Sequence, residues 1–308
     1  MKNLWQIAKK INIEPGRLLL NEPMSLHTTF RIGGPADFFI RPGSTAELGR
    51  VIAFLTAEGI PHFILGGGAN ILVGDGGIRG AVLDMAGLAW AQRSESAITA
   101  GAGITVDRLC EEALSLEFEG IENFYGMPGS LGGATYMNAR CYEHDFSDSI
   151  DAVTLVAPTG ELTTIHPEPS QWEYKKSPFQ PGGRWEGWII AGAKFKLRPG
   201  IAENIARTMR SRKLDRAAKG HYRLPSAGSV FKNDRSFGKP TGAILDSLDI
   251  KGTRIGDAAV SAWHANIFVN TGKATAADMY ALIQKAKNMA YSAYGFRLEP
   301  EILFIGEF

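Results

Sequence analysis

Two cysteines in 308 residues, Cys110 and Cys141, form no CxxC pair and no thiol-rich ligand cluster. That excludes a disulfide-stapled scaffold and a zinc-ribbon type of site, and such sparse usage fits a reducing compartment. An excess of one charge is missing too. Lys and Arg number 33 against 32 Asp and Glu, a formal net charge of +1. Nothing global therefore attracts nucleic acid or an anionic membrane, and an anionic ligand has to be met by local charges and main-chain N–H groups. No apolar run approaches a membrane span. The opening stretch MKNLWQIAKKINIEP interrupts its apolar residues with Lys9 and Lys10, unlike a signal peptide. The chain reads as soluble and cytoplasmic, with no obligatory protein partner evident and no metal site.

Two nucleotide-binding signatures are also absent. No GxxxxGK[ST] occurs, which excludes an ordinary P-loop, and Gly101-Ala102-Gly103 lacks the third glycine of a dinucleotide fingerprint. Glycine itself is abundant, at 36 residues, and gathers in short loops between apolar segments. There the backbone bends sharply or approaches a ligand closely. The length favours two or three domains over one core.

Residues 44–58 show the apolar spacing of a helix at Leu48, Val51, Ile52 and Leu55, with Ser44 and Glu47 as a capping box and Gly59 as its stop. Strands are expected at 62–65, 71–73, 81–85 and 97–100, and a helix at 106–116 that places Cys110 in a core. The glycine-rich stretch 120–138 reads as loop. A hairpin spans 151–157 and 161–165, and a buried strand spans 188–197. After Pro199-Gly200 the character changes. Residues 201–219 form a basic helix, ordinarily a solvated face. A short helix near 241–248, strands near 257–261 and 264–269, and a long helix over 276–294 stopped by Gly295 follow. A last strand over 298–305 contains Pro300, which places it at an edge or bulge. The order is mixed α+β. The expected divisions are 1–85 and 86–199 for a nucleotide-type domain in two parts, and 200–308 for a smaller C-terminal domain.

Two loops dominate: Gly66-Gly67-Gly68-Ala69-Asn70 and the stretch from Gly126 through Pro128, Gly129, Ser130, Gly132 and Gly133. Consecutive N–H groups without side chains in the way can fold around a diphosphate. Tight turns alone would also account for them.

The motifs HTTFRIGGPAD (27–37), ILGGGANILVGDGGIRG (64–80), GMPGSLGGATYMNA (126–139), PSAGSVFKN (225–233), HANIFVN (264–270) and RLEPEI (297–302) stand in this order. In that order and spacing the chain, from about residue 21 onward, resembles the UDP-N-acetylenolpyruvoylglucosamine reductases (the MurB family), in the shorter of the family's two types. The resemblance implies a two-part FAD-binding domain of the vanillyl-alcohol-oxidase (PCMH) type with a C-terminal α+β substrate-binding domain. It also implies FAD held without a covalent link and NADPH as co-substrate. Implied flavin contacts are Arg31, the loop 66–70, and Gly126, Pro128, Gly129, Ser130, Gly132 and Gly133. The implied reaction reduces an enolpyruvyl ether on UDP-N-acetylglucosamine to give UDP-N-acetylmuramate for peptidoglycan.

By the same resemblance Ser229 is the proton donor and Glu301 the catalytic carboxyl, while Tyr174, Lys232, Asn233 and His264 contact substrate. Two places depart from the pattern. Where the family has Tyr-Arg-x-Ser, this chain has Tyr174-Lys175-Lys176-Ser177. Lysine offers a point charge without the planar fork of arginine. Lys175 is kept as the catalytic cation, with Arg184 as a possible substitute. Arg140 and Cys141 also replace small residues near the second glycine loop. Two other readings remain: a flavin-dependent oxidase of the same fold, and a flavoprotein that has lost catalysis.

Overall fold

The computed structural model describes residues 4–94 and 97–308. The chain divides into two compact units. One holds the residues up to Leu20, Phe38–Gly67 and Gly80–Lys213; the other holds Asn21–Asp37, Gly68–Arg79 and Leu214–Phe308. Both are discontinuous in sequence, unlike the consecutive divisions at 85 and 199 expected above. Three changes of unit fall inside the strands Leu18–Pro23, Pro35–Ile40 and Ile78–Asp84, and another falls inside the helix Ala202–Ala218. A strand or helix carries no break in composition, so these crossings leave no local signal. The pair Pro199-Gly200 marks something smaller: Arg198–Pro199 is a two-residue strand beside Phe118–Glu119.

In the first unit the helix Thr45–Ala57 buries Leu48, Val51, Ile52 and Leu55. Its capping box is only half made. Ser44 Oγ accepts the Glu47 N–H at 3.1 Å, but the Glu47 carboxylate turns to the Gly43 N–H at 2.6 Å and to Arg17 at 3.3 Å. The strand His62–Leu65 runs parallel to residues 81–84 in a four-stranded sheet. Five antiparallel strands form a second sheet, in the order Leu162–Ile165, Ile150–Val156, Ile189–Lys196, Ala97–Gly101, Ala91–Arg93. The helix Val106–Ser115, capped by Thr105, buries Leu109, Cys110 and Ala113. Burial pushes the Cys110 thiol well above its usual range, as befits a packing residue. Edge-on contacts tie Phe146 to Phe124 and Phe195 at 5.1 and 5.5 Å.

The stretch 120–138, expected to be loop throughout, contains a helix at Leu131–Tyr136. Gly132 and Gly133 each cost a helix about 1 kcal/mol against alanine, which hides it from a sequence reading. Ser130 compensates as N-cap, accepting the Gly133 N–H at 3.4 Å, and Leu131 and Ala134 are buried.

In the second unit an antiparallel sheet runs in the order Ser226–Ser229, Ile267–Asn270, Ala258–Val260, Arg254–Ile255. The helix Ala276–Tyr294 has the expected limits, with Thr275 and Asp278 in a complete capping box and Gly295 left-handed at φ 74°. Its buried face, Met279, Leu282, Ile283, Ala286 and Ala290, shares a core with Phe231, Phe268, Phe30 and Leu72. Early residues are fastened here by specific bonds. Asp75 accepts the N–H groups of Ala276 and Ala277 at 2.8 and 3.0 Å, and Asn270 Nδ2 donates to the Phe30 carbonyl at 3.1 Å. The last strand is shorter than expected, Leu303–Ile305, and runs parallel to Ile71–Val73. Residues 298–302 leave the regular ladder around Pro300, which lacks the N–H a strand needs. Among the described residues no helix is long and apolar enough to cross a membrane.

Candidate active site

In the first unit the two glycine loops meet backbone to backbone. A Cβ on Gly67 would lie 2.7 Å from the Gly129 Cα, and one on Gly66 would lie 2.6 Å from Ser130 Oγ. These two glycines are required by packing, whatever else they bind. Gly133 differs, because the nearest atom to a Cβ there is Ser130 Oγ at 3.6 Å. Gly126 is held by Asp107, whose Oδ1 accepts its N–H at 2.5 Å while Oδ2 faces Lys213 Nζ at 3.4 Å. Among the described residues the main-chain N–H groups of Gly66 and Gly67 donate to no protein acceptor; the same holds in the second unit for Gly68, Ala69 and Asn70. Such donors suit an anion. The Gly101-Ala102-Gly103 turn, by contrast, is structural: a Cβ at 103 would lie 1.8 Å from the Met85 carbonyl oxygen.

Tyr174 and Lys175 form the tip of a tight hairpin. Glu173 and Lys176 exchange main-chain hydrogen bonds of 3.2 and 3.0 Å, and Lys175 is left-handed at φ 58°. A lysine there costs about 1 kcal/mol in backbone strain, so surrounding bonds must hold it. They come from the end of the helix Leu131–Tyr136. The Tyr136 carbonyl, unpaired within so short a helix, accepts from Ser177 Oγ at 2.6 Å and Gln180 Nε2 at 2.7 Å. Gln180 Nε2 also reaches the Lys175 carbonyl at 3.2 Å, and Asn138 Nδ2 donates to the Glu173 carbonyl at 2.9 Å. The alternative cation, Arg184, stacks on Trp185 at 5.3 Å. Cys141 Sγ lies 3.5 Å from Met127 Sδ of the second glycine loop, and Arg140 pairs with Asp145 at 2.7 Å.

In the second unit the Ser229 and Glu301 segments run side by side. The Glu301 N–H donates to the Val230 carbonyl at 2.7 Å, the Lys232 N–H to the Glu299 carbonyl at 2.9 Å, and Phe231 pairs with Pro300. Some 70 residues of sequence separate these segments, and the fold makes them neighbours. Asn70 Nδ2 donates to the Glu301 carbonyl at 3.0 Å, and the Leu303 N–H to the Asn70 carbonyl at 3.0 Å.

The other expected contacts have structural bonds of their own. Lys232 Nζ pairs with Glu299 at 2.6 Å. Asn233 Oδ1 accepts the Thr241 N–H at 2.9 Å, capping the helix Thr241–Asp246. His264 Nδ1 accepts the Asn266 N–H at 3.1 Å, which requires that nitrogen unprotonated, and burial lowers its pKa. Burial, with Arg216 beside it, also brings nearby His221 down to about 4. Arg31 is exposed and left-handed at φ 56°, in a turn closed by Thr28. The basic helix is largely occupied: Arg207 pairs with Glu203, Lys219 with Asp215, and Arg212 with Asn123 and the Tyr142 ring. Two residues escaped the sequence reading. Asn138 and Asn266, 1% and 2% exposed, hold the Glu173 and Phe231 main chains through their amides. Their one trace in the sequence is an asparagine beside apolar neighbours, Met137 and Ala139 in the one case and Ala265 and Ile267 in the other. Among the described residues no cluster could hold a metal ion.

Comparison with known proteins bears on both units. The family model described as "FAD binding domain" matches residues 36–166, and the one described as "UDP-N-acetylenolpyruvoylglucosamine reductase, C-terminal domain" matches residues 220–305. UDP-N-acetylenolpyruvoylglucosamine reductase of Treponema denticola is 36% identical, covering 100% of this chain and 99% of the relative. That of Caldanaerobacter subterraneus is 37% identical, covering 96% of each. The crystal structure of the same reductase from Thermus caldophilus has a TM-score of 0.77 and 30% identity, covering 94% of this chain and 98% of that one. A berberine bridge enzyme variant shares the fold at 15% identity with a TM-score of 0.51, covering 65% of this chain and 44% of its own. The fold is thus α+β: an FAD-binding domain of the PCMH type and a C-terminal α+β domain.

Proposed function

Since the chain belongs to the UDP-N-acetylenolpyruvoylglucosamine reductase family, we propose that it catalyses that reduction in peptidoglycan precursor synthesis. The enolpyruvyl ether of UDP-N-acetylglucosamine is reduced to UDP-N-acetylmuramate, with NADPH as donor and FAD as the bound cofactor. The observation that carries the reading is a likeness spanning the flavin-binding part and the C-terminal set together. A flavin oxidase of the same fold has no reason to share Ser229, Lys232 and Glu301. Two thiols with no disulfide fit the cytoplasm, where we place the reaction.

The residues present fit the cofactor's diphosphate. Among the described residues the N–H groups of Gly66, Gly67, Gly68, Ala69 and Asn70 have no protein acceptor, and Gly133 leaves room where a side chain would intrude. Gly126, Pro128, Gly129, Ser130 and Gly132 shape the second loop, with Arg31 as a further charge for the phosphates. When bound, FAD supplies the hydride relay from NADPH to the alkene. Lys175 offsets the negative charge that builds on the substrate's carboxylate side as the alkene is reduced. Ser229 Oγ delivers the proton to the carbon beside the carboxylate, and the Glu301 carboxyl hydrogen-bonds the same group. Tyr174, Lys232, Asn233 and His264 serve the sugar nucleotide, Lys232 after exchanging its Glu299 partner for the ligand.

The test is spectroscopic. Purified protein should be yellow, bleach with NADPH without air, and regain its colour when the enolpyruvyl sugar nucleotide is added. Colour regained only on admitting oxygen points to the oxidase; protein that takes up no FAD sinks both readings.

A further inference from the structure

The hydrogen bonds around Glu173–Gln180 make the Lys175 tip an extension of the helix that carries the second glycine loop. Three side chains do this within the first unit. Ser177 and Gln180 close on the Tyr136 carbonyl at 2.6 and 2.7 Å, and Asn138 closes on the Glu173 carbonyl at 2.9 Å. Asn138 is 1% exposed, and its other amide atom is also used, because Oδ1 accepts the Ser147 N–H at 3.2 Å. A carboxylate at this position, which only accepts, would leave the Glu173 carbonyl without its donor. The Asn138 backbone is left-handed, at φ 39°, just beyond the helix's C-cap Met137. Asparagine is one of the few side chains tolerated there. The hairpin tip, for its part, is strained at Lys175 and has no regular sheet around it to hold it.

We infer that Asn138 and Gln180 are positioning residues for Lys175, fixing the ammonium group relative to the flavin loop. The inference rests on the role given to Lys175 under the proposed function. It assigns neither residue a contact with substrate or flavin. The physical need is plain. An arginine fork tolerates small displacements because two of its N–H groups share a carboxylate, whereas a lysine is a single point charge on a flexible stem. A lysine therefore depends more on where its backbone is held. A shift of about 1 Å in such a group costs on the order of 100-fold in rate.

The experiment is a double-mutant cycle on the FAD-loaded enzyme, following the two half-reactions separately by stopped flow. Asn138→Gly keeps the left-handed backbone and removes only the amide, so it avoids the strain an alanine would add. Gln180→Ala removes the second tie from a half-buried position and serves if the first variant folds poorly. Each should leave flavin reduction by NADPH within about twofold. Each should slow reoxidation by the enolpyruvyl substrate by about 10–100-fold, with kcat falling more than KM rises. Combined with Lys175→Ala, neither should slow it further, because the interaction they support is already gone. Full additivity in the double variants, or equal slowing of both half-reactions, would overturn the inference while leaving the function intact. Lys175→Ala with wild-type reoxidation overturns the role of Lys175 and the inference with it. Loss of FAD from Asn138→Gly would show that the amide supports the flavin loop instead.

Discussion

Asn70 and Glu301 stand 231 residues apart in sequence, yet the side-chain amide of the first donates to the main-chain carbonyl of the second at 3.0 Å. The asparagine lies in the first glycine loop and the glutamate in the C-terminal motif, so one bond joins the loop proposed for the cofactor to the main chain of the residue whose carboxyl is proposed for the substrate. Asn70→Ala should cost about 1 kcal/mol for the lost bond, lowering Tm by about 2–4 °C. It should slow reoxidation of reduced flavin by substrate more than it weakens FAD. Thermal denaturation and stopped-flow traces on the same preparation would check both halves; an unchanged second half-reaction would leave the bond purely structural.

Gly67 and Gly133 should respond oppositely to alanine. At 67 the added methyl meets the Gly129 Cα at 2.7 Å, and relieving that clash costs about 1–3 kcal/mol in the apoprotein. At 133 the protein leaves space and the site is helical. The apoprotein should be as stable or about 0.5–1 kcal/mol more stable, while FAD affinity drops on the order of tenfold because the methyl occupies ligand space. Apoprotein melting together with FAD titration separates the two; Gly133→Ala binding FAD normally would remove that residue from the site.

Ser229→Ala should leave flavin reduction by NADPH intact and slow the second half-reaction by roughly 10²–10⁴-fold, the usual worth of a positioned acid. Equal slowing of both halves contradicts a proton donor. Lys175→Arg should retain activity, since the tip is held through its backbone bonds to Asn138 and Gln180. A large loss would show a site rebuilt around the smaller cation.

His221 gives the second unit a pH dependence of known sign. Burial lowers its folded pKa from 6.5 to about 4, so the unfolded chain binds the extra proton between those values. Stability from this group is complete above pH 6.5 and is lost as pH falls toward 4. His264 acts in the same direction, because its Nδ1 must stay unprotonated to accept from Asn266. His221→Gln should therefore flatten the fall in Tm between pH 7 and 5 relative to wild type; an identical slope in both would mean that the imidazole is not held neutral.

Local chemistry was legible wherever a residue acts on its own neighbours. The helix over 276–294 follows from apolar spacing and a glycine stop, and the hairpin around 157–161 from its turn residues. Cys110 reads as core from its place on a helix face, and is 1% exposed. Where two local signals conflict the reading failed. The glycines at 132 and 133 hid a helix that Ser130 and buried Leu131 sustain, and Pro300 cut the final strand to Leu303–Ile305.

The amino-acid order by itself determined the elements, the two glycine loops and the motif order that identifies the family, because each depends on spacings of a few residues or on a string that can be matched. Only the tertiary structure decided which early segments join the second unit, and how Asn70, Asn138 and Asn266 use their amides. Those bonds run from one side chain to a main-chain carbonyl or N–H group 35 or 231 residues away. Main-chain groups are the same in every residue, so such a partner leaves no mark on the sequence that specifies it.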